Sequence, residues 1–480
     1  MKKVLPLVIV LTSIWVIMLI PFQILGHGFM PPDDAMRHCA KVISGKDWGQ
    51  ILVLRDEIKM DSYPGWHAIL GFVHRLTGWD QHSLVLFSVT SLAILFCLIP
   101  VFFLKFPESW LLSLFTISIL EPGWMIRIVL GRPFIFTMAS LLIILFIWPR
   151  LKDKERLGIN IAVLVGITAL SVWIHASWYF FILLVAAFIL AREYRAAGLI
   201  AVSSLAGIFI GASLTGHPVV FIKQMVTHFF LVSGSYDVER QLVGELRPAI
   251  GNYGIILTAA AMLGAQALRG KRIRDSVDNP VFILAALSFI LGFLTIRVWL
   301  DWGMVAFAVW LALEFDKFLK DKLDPFSWQR LRLAVIAAII LFLSVTVDVG
   351  SRWSLTRPMD YVSKEDLTQA EFLPGSGGIV YSDSMLIFYQ LFYRNPKADW
   401  RYMLGFESAF MLPGDLKILR EIQKNFSRSR DFEPWVKKMR PEDRLIVRGS
   451  PDSQPKIEGL EWHYLALNMW SGRKPRDAKR

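Results

Sequence analysis

The sequence predicts a polytopic α-helical membrane protein of about 11 transmembrane helices, followed by a small C-terminal α/β soluble domain. Three observations predict this class: 54% of the 480 residues are hydrophobic, only 19% are charged, and the mean hydropathy is +0.47. Soluble domains are about one-quarter charged. An ordinary cytosolic enzyme is therefore excluded, and two cysteines are too few for a disulfide-rich secreted scaffold.

Apolar runs of about the length that a bilayer requires give the order of the predicted spans. They lie at residues 4–25, 83–104, 109–126, 133–148, 157–174, 176–191, 196–215, 249–268, 279–296, 302–318 and 331–348. The first run follows Lys2 and Lys3 and is longer than the apolar region of a secretory signal, which is about 7–15 residues, so we expect an uncleaved span. The stretch 157–191 is too long for one span, and we expect a turn at residues 173–175 to divide it.

Lysine and arginine residues fall mostly in alternate short loops. Because cytoplasmic loops are enriched in these residues, the pattern predicts a multi-pass protein of the cell inner (plasma) membrane with a cytoplasmic N-terminus. The predicted cytoplasmic loops contain Lys105 and the basic residues of 150–156, 192–195, 269–274 and 317–332. The net charge of +12 is thus a topology signal, and no nucleic acid is expected as a partner.

Two large segments are then predicted to face outward: loop 26–82, within a transmembrane domain 1–348, and an extracytoplasmic domain 349–480. The second segment loses its apolar runs and gains Pro, Gly, Asp and Arg. Its local patterns predict strands at 378–382, 444–448 and 461–466 and a helix at 385–393. This alternation predicts a small α/β fold, whose strand order the sequence does not give.

The outer loop begins with adjacent aspartates, Asp33 and Asp34. They open a predicted helix that ends at Gly45, on which Asp33 shares a face with Arg37 and Asp34 with His38. Two carboxylates at a membrane surface can accept a proton from a hydroxyl group or hold a divalent cation through oxygen ligands. The structural alternative is that Asp33 caps the helix and Asp34 stabilises its dipole.

Further along the loop, a Tyr-Pro turn at Tyr63 leads into a predicted amphipathic helix that carries His67 and His74. Such a helix suits the membrane interface. His67 is a candidate substrate-binding residue, and a structural interfacial helix is the alternative.

The next outward loop carries Glu121, Arg127 and Arg132. An arginine at membrane depth costs about 2.5–3.5 kcal/mol on insertion scales, so it usually has a partner. The planar guanidinium of Arg132, at the head of a span, suits a lipid phosphate, while an ion pair with Glu121 or snorkelling is the alternative. Arg297 and Asp301 are four residues apart, which favours a plain ion pair.

Further candidates for substrate binding lie at predicted outer ends of spans. His175 follows one span, and Lys223 and His228 lie in 216–248, which we expect to be a long re-entrant or interfacial loop able to close over an anionic donor. The sequence has no P-loop, dinucleotide-binding fingerprint, His-Glu-x-x-His or Gly-x-Ser-x-Gly motif. No predicted inner loop is large enough for a cytoplasmic catalytic domain.

The first span, followed by Pro32-Asp-Asp-Ala and then Tyr63-Pro-Gly-Trp-His-Ala-Ile-Leu, resembles the start of a GT-C fold glycosyltransferase. These enzymes, among them the protein mannosyltransferase and aminoarabinose transferase groups, take a sugar from a polyprenyl-phosphate carrier. The motif match covers roughly residues 4–75, and the remainder agrees in architecture. The resemblance implies that Asp33 and Asp34 form the acidic motif and that Arg127 and Arg132 contact the lipid phosphate.

The resemblance implies an inverting transfer in which one aspartate deprotonates or orients the acceptor hydroxyl. The expected partners are a polyprenyl-phosphate-linked sugar, the membrane lipid and a glycan, lipid or protein acceptor of the cell envelope. No cofactor is certain, and a divalent cation would bind at Asp33 and Asp34. The alternatives are a transporter or flippase, which would explain charges at span ends, and a polymerase or ligase for lipid-linked glycans, which would not need the acid pair.

Overall fold

The computed structural model describes residues 4–176, 181–234, 237, 242–248, 252–356 and 362–475. Within them the chain forms two compact units. Unit 1 comprises residues 1–29, 86–218 and 245–355, and unit 2 comprises 30–85, 219–244 and 356–480, as far as these ranges are described. Three separate chain segments thus build each unit, whereas the sequence divided the chain once, at 348.

The described helices follow one another along the whole chain. In order they are α1 Leu5–Gly26, α2 Asp34–Ser44, α3 Trp48–Ile51, α4 Pro64–Thr77, α5 Gln81–Leu98, α6 Glu108–Leu120, α7 Pro122–Ile128, α8 Phe134–Ile147, α9 Leu157–Ile174, α10 Phe181–Leu190, α11 Tyr194–Ser213, α12 Pro218–Gly234, α13 Tyr253–Leu268, α14 Arg274–Val277, α15 Pro280–Gly292, α16 Ile296–Val298, α17 Met304–Lys322, α18 Trp328–Thr346, α19 Leu367–Ala370, α20 Met385–Arg394, α21 Pro413–Lys424 and α22 Glu433–Lys438.

Seven helices of the described residues are long and apolar enough to cross a membrane. They are Leu5–Gly26, Gln81–Phe102, Phe134–Lys152, Leu157–Ile174, Tyr194–Ser213, Ile296–Lys322 and Trp328–Thr346. The pair α6–α7 makes an eighth if its 117° bend lies within one span. The helices α10, α13 and α15 coincide with predicted spans but are shorter, so the membrane class is confirmed while the count of 11 stays a prediction.

Large apolar side chains on the outside of unit 1 agree with this class. On α1, for example, Leu7, Trp15 and Phe22 are each more than half exposed. A continuous apolar face of this kind is rare on a protein surrounded by water. The predicted division of 157–191 is also confirmed, because α9 ends at Ile174 and α10 begins at Phe181.

The loops that the sequence assigned to the cytoplasm meet at one end of unit 1. Lys152 pairs with Glu193 and Lys271 with Asp321, while the guanidinium of Arg330 donates to the carbonyl oxygen of Lys105. Arg330 also pairs with the buried Glu108, and Arg150 lies over the ring of Phe103. These contacts join all five basic loops, as the alternation of charge predicted; which side of the membrane they face stays a prediction.

Unit 2 contains a five-stranded sheet with the order β2-β1-β3-β5-β4. The strands are β1 Ile379–Tyr381, β2 Arg401–Tyr402, β3 Arg444–Arg448, β4 Glu461–Tyr464 and β5 Met469–Arg473. Strands β2, β1 and β3 are parallel, and β3, β5 and β4 are antiparallel. The predicted strands and the predicted helix at 385–393 are confirmed, while β2 and β5 were missed.

The first loop is part of the core of unit 2. Its residue Leu52 forms a parallel bridge with Tyr402, and the amide of Val53 donates to the carbonyl oxygen of Tyr402 at 2.9 Å. Trp48 and Ile51 are buried beside Phe406 and other aromatic residues of the C-terminal segment. The loop that carries Asp33 and Asp34 is therefore fixed by packing against the C-terminal domain.

Candidate functional site

An acid cluster, defined by Asp33, Asp34, Arg37 and Tyr389, occupies the start of α2. The side chain of Asp34 is 25% exposed and its Oδ1 accepts a hydrogen bond from Nε of Arg37 at 2.7 Å. The hydroxyl of Tyr389, on α20, donates to the same oxygen at 3.3 Å. Gly45 adopts a left-handed conformation with φ of 66° and ends α2 where the sequence predicted.

Arg37 is almost completely buried, and aromatic rings surround it. Its guanidinium lies 3.9 Å from the ring centre of Phe406 and 4.7 Å from that of Tyr63. Burial disfavours the charge, but the neighbouring carboxylate of Asp34 outweighs this and raises the pKa of Arg37 above its usual value. The cation is therefore permanent, and it holds Asp34 in one position.

The helix start differs in two ways from the sequence interpretation. Asp33 occupies the capping position, but its side chain makes no capping hydrogen bond, so capping is not the role of this half-exposed carboxylate. Arg37 pairs with Asp34, three residues away, whereas the sequence placed Arg37 on one face with Asp33, four residues away. One helical turn offers both spacings, and the pattern alone cannot choose between them.

A histidine chain, defined by Asp61, His67 and His38, lies behind the acid cluster. Nδ1 of His67 contacts Oδ2 of Asp61, and Nε2 of His67 lies 2.8 Å from Nδ1 of His38. Nδ1 of His67 therefore faces the carboxylate of Asp61 and its Nε2 faces His38, and the tautomers of the two rings decide which of them donates across the 2.8 Å contact. The chain thereby links α4 to the buried face of α2 and connects three titratable groups.

Asp61 is the anchor of the histidine chain. Its Oδ1 accepts hydrogen bonds from the amide of Tyr63 at 3.0 Å and the indole of Trp48 at 3.2 Å. Burial favours the neutral carboxyl, but the charge and hydrogen bond of His67, together with these two donors, hold the pKa of Asp61 well below its usual range. Asp61 was not among the predicted site residues, although its position two residues before a Tyr-Pro turn is typical of such an Asx turn.

Unit 1 contains an arginine cluster, defined by Arg127, Arg132, Arg297, Glu245 and Asp301. Arg127 binds Glu245 through two nitrogens, at 2.7 and 3.1 Å, and also contacts the fully buried Asp301. Arg132 contacts Glu245 as well. The predicted pair of Arg297 and Asp301 is confirmed at 3.3 Å.

Glu245 lies at the centre of the arginine cluster. Burial favours its neutral form, but the charges of Arg127, Arg132 and Arg297 outweigh this and hold the pKa of Glu245 well below its usual range. The alternative partner proposed for Arg132 was Glu121. In the structure Glu245 takes that place, and Glu121 accepts a hydrogen bond from the side-chain amide of Asn252 at 2.8 Å.

The remaining predicted residues lie in different places. His175, in unit 1, is buried against the ring of Phe134, which the guanidinium of Arg297 also approaches. In unit 2, His228 lies 3.9 Å from Glu407, and Lys223 lines a cavity of about 500 Å³ beside Asp56 and Glu57.

Two further expectations concern the loop 216–248 and the metal. The sequence predicted a long re-entrant or interfacial loop there, but residues 218–234 form the 17-residue helix α12. Residues 235–236 and 238–241 of this segment lie outside the described residues. No group of three or more His, Cys, Asp and Glu side chains that can hold a metal ion occurs among the residues that the structure describes.

The site residues thus fall into separate groups. Asp33, Asp34, Arg37, His38 and His67 come together in unit 2, and Arg127 and Arg132 come together in unit 1. No protein-family model matches the sequence, and no curated protein is significantly similar to it.

Proposed function

We propose that the chain is an integral membrane glycosyltransferase that moves a sugar from a polyprenyl-phosphate donor to a hydroxyl group of an envelope glycan, lipid or protein. The observation that carries the proposal is the acid cluster. Two adjacent, partly exposed carboxylates lie at the start of α2, directly after the first membrane-spanning helix in the sequence, and one of them is fixed by a buried arginine. A positioned carboxylate at that place suits the deprotonation of a hydroxyl group at the membrane surface.

The proposed reaction is a single displacement. The oxygen of the acceptor hydroxyl forms a bond to the anomeric carbon while the bond from that carbon to the phosphate oxygen breaks. The hydroxyl proton passes to an aspartate, and polyprenyl phosphate leaves with the bonding electrons. Attack occurs opposite the leaving group, so the configuration inverts. A phosphate leaves readily, so no strong general acid is needed.

The contacts of the acid cluster suggest different roles for its two carboxylates. Asp34 is held by Arg37 and Tyr389, which fits it to orient the acceptor. Asp33 does not cap the helix with its side chain, which favours it as the proton acceptor. Behind them, the histidine chain ties α2 to α4, so that both aspartates keep their place during the reaction.

The proposal assigns the donor phosphate to Arg127 and Arg132. Among the described residues, three arginines gather around Glu245 and Asp301 in this cluster. Fixed cations that face a phosphate stabilise the charge that grows on it as the sugar departs.

We further propose that the N-terminus is cytoplasmic and that segments 26–82 and 349–480 are extracytoplasmic. Reporter fusions at residues 150–156, 269–274 and 320–330 should report the cytoplasm, and fusions at 40–60 and 380–470 the opposite side. A cytoplasmic signal from 380–470 would remove Asp33 and Asp34 from the extracytoplasmic face and contradict the proposal.

The proposed activity predicts what cells without this chain accumulate. Lipid mass spectrometry of such cells should show a polyprenyl-phosphate-linked sugar that returns to its normal level when the wild-type chain is supplied. A chain carrying both Asp33→Asn and Asp34→Asn, inserted in equal amount, is the matched control and should not restore it. Restoration by this double variant, or no accumulated donor, would contradict the transferase.

One observation favours the transporter alternative. The bend of 117° between α6 and α7 places the buried Arg127 beside a broken helix, a feature of many transporters. If the protein is a transporter, cells without it should accumulate the lipid-linked substrate on the cytoplasmic leaflet. The purified protein should move this substrate across the membrane of vesicles. Transfer of a sugar by protein in detergent, where there are no leaflets, separates the two functions.

A further inference from the structure

A cavity of about 610 Å³ opens in unit 1 at the end where the basic loops meet. It lies between the last turn of α13, the last turns of α17 and the short helix α14. Asn252, which caps the other end of α13, contacts Glu121. The residues of this segment that line the cavity begin at Met262, about 15 Å along the helix from Asn252, so the cavity lies towards the opposite end of α13 from that contact.

The walls of the cavity are apolar and its mouth is cationic. Half-buried apolar side chains line it: Leu112, Met262, Ala265, Phe315, Phe318 and Leu333. Four basic residues border it, namely Arg269, Lys271, Arg272 and Lys317, against two acidic ones, Asp275 and Glu314. An amphipathic anion therefore fits the cavity better than a sugar or a nucleotide does.

Glu314, the acidic residue at the base of the cavity, has its negative charge balanced by neighbouring side chains. Glu314 is buried, accepts hydrogen bonds from Ser276 at 3.1 Å and from Lys317 at 2.8 Å, and also contacts the amide of Gln266. Its charge is thereby neutralised within the protein. The base does not repel an anion that enters from the mouth.

Two arginines at the mouth keep their charge for a ligand. Arg269 lies over the ring of Phe318, 4.2 Å from its centre, and Arg272 is exposed. Neither forms a salt bridge with any residue that the structure describes, whereas Lys271 pairs with Asp321. A guanidinium stacked on a ring presents its edge nitrogens to an incoming phosphate.

Neighbouring side chains suit the headgroup region of a bilayer. Leu268, the last residue of α13, is 93% exposed beside Arg269, and Ile273 in the following loop is also exposed. At the start of α18, which lies at the same end, Trp328 is about half exposed. Apolar and aromatic side chains beside cations are typical of the membrane interface.

We propose that this cavity binds an anionic phospholipid of the surrounding membrane. Arg269 and Arg272 contact its phosphate, and Met262, Phe315 and Phe318 contact the first part of an acyl chain. The site is distinct from the site of sugar transfer and does not depend on the proposed function.

The test measures lipid binding by the purified full chain in detergent, with native mass spectrometry and thermal unfolding as readouts. Phosphatidylglycerol and phosphatidylcholine with identical acyl chains are the probes. We expect one phosphatidylglycerol to remain bound and to raise the melting temperature more than phosphatidylcholine does. In the double variant Arg269→Gln/Arg272→Gln, affinity for phosphatidylglycerol should fall about thirtyfold.

The matched control is Lys322→Gln/Arg332→Gln, which removes the same charge at the same end but outside the cavity. We expect this control to bind phosphatidylglycerol as the wild type does. Ala265→Phe fills the cavity without a change of charge and should also weaken binding. Equal loss in the control, no loss in the arginine variant, or competition by millimolar inorganic phosphate or glycerol phosphate would each overturn the proposal, the last in favour of a soluble anion.

Discussion

The acid cluster of unit 2 and the arginine cluster of unit 1 both bury arginine beside carboxylates. The acid cluster contains one arginine and two aspartates, whereas the arginine cluster contains three arginines and two carboxylates. Arg37 is matched by Asp34 on its own helix and is covered by aromatic rings. In the arginine cluster, three guanidinium groups share Glu245 and Asp301. The first arrangement fixes one carboxylate, and the second gathers three guanidinium groups at one place.

The two clusters also differ in how far along the chain their members lie. Asp34 and Arg37 are separated by one helical turn, whereas Glu245 is 118 residues from Arg127 and 113 from Arg132. A local pair is visible in sequence spacing, and a distant one is not. Their expected functions also differ, because a fixed carboxylate suits proton transfer and a group of guanidinium cations suits a phosphate.

The largest effect that we predict is on transfer by the acid cluster. Asp33→Asn and Asp34→Asn keep the shape of the side chain but remove its charge and basicity. Loss of a positioned base costs about 10²–10⁴-fold in rate, so at least one variant should lose nearly all transfer from a polyprenyl-phosphate sugar. Asp34→Asn should also lower the melting temperature, because Arg37 loses its charged partner.

The matched control is Asp47→Asn, in the same loop. Asp47 caps α3, and asparagine caps equally well, so this variant should keep both transfer and stability. Addition of EDTA to the wild type then asks whether a divalent cation takes part. Full transfer by both Asp33→Asn and Asp34→Asn would refute the acid site and favour a transporter.

The second prediction tests whether the arginine cluster binds a phosphate. Arg132→Lys keeps the charge but loses the planar fork, and affinity for the donor should fall about tenfold or more, as for the loss of a charged hydrogen bond. Arg132→Ala should weaken it further. Donor binding to the purified chain measures both.

Glu245→Gln distinguishes the phosphate role from a structural ion pair. If Arg132 only neutralises Glu245, then Arg132→Lys and Glu245→Gln should lower the melting temperature alike and leave donor affinity unchanged. If Arg132 binds the phosphate, Glu245→Gln should leave donor binding intact or strengthen it, since a competing carboxylate charge is gone.

Sequence predicted the local parts of both clusters and missed what long-range packing adds. The helix of Asp34 and its end at Gly45 follow from residue type and spacing, and the turn at His175 from the length of an apolar run. Glu245 lies in a polar segment with no periodicity, so nothing local indicates that it meets Arg127.

The same limit explains the fold. The apolar runs before residue 348 and three of the five strands after residue 378 were predicted, because each depends on nearby residues. The bridge from Leu52 to Tyr402, and with it the union of the first loop with the C-terminal sheet, depends on two segments about 350 residues apart. The candidate site was predicted at Asp33 and Asp34, but the contact of Asp34 with Tyr389 and the link from α2 through His38 and His67 to Asp61 required the structure.

A third, smaller effect is expected for the histidine chain, which has no counterpart in the arginine cluster. His67→Gln can keep a hydrogen bond to one neighbour but cannot link Asp61 to His38. If the chain positions α2, kcat should fall roughly tenfold with little change in KM, which is less than the loss from Asp33→Asn. His74→Gln, two turns further along the same helix and outside the histidine chain, is the matched control. If His67→Gln changed neither the pH profile nor kcat, the histidine chain would contribute only to packing.

The smallest effect concerns the acid stability of unit 2. Because the pKa of Asp61 is held well below its usual range, its ionised form stabilises the folded chain above the unfolded value, about 3.9, and this contribution is lost as pH falls below it. Asp61→Asn should therefore melt below the wild type at neutral pH, and the difference should narrow as pH falls from about 6 to about 3. Tryptophan fluorescence in detergent follows both melts, with exposed Asp56→Asn as the control. A difference that stays constant with pH would mean that the Asp61 side chain contributes packing and hydrogen bonds, but no charge, to the histidine chain.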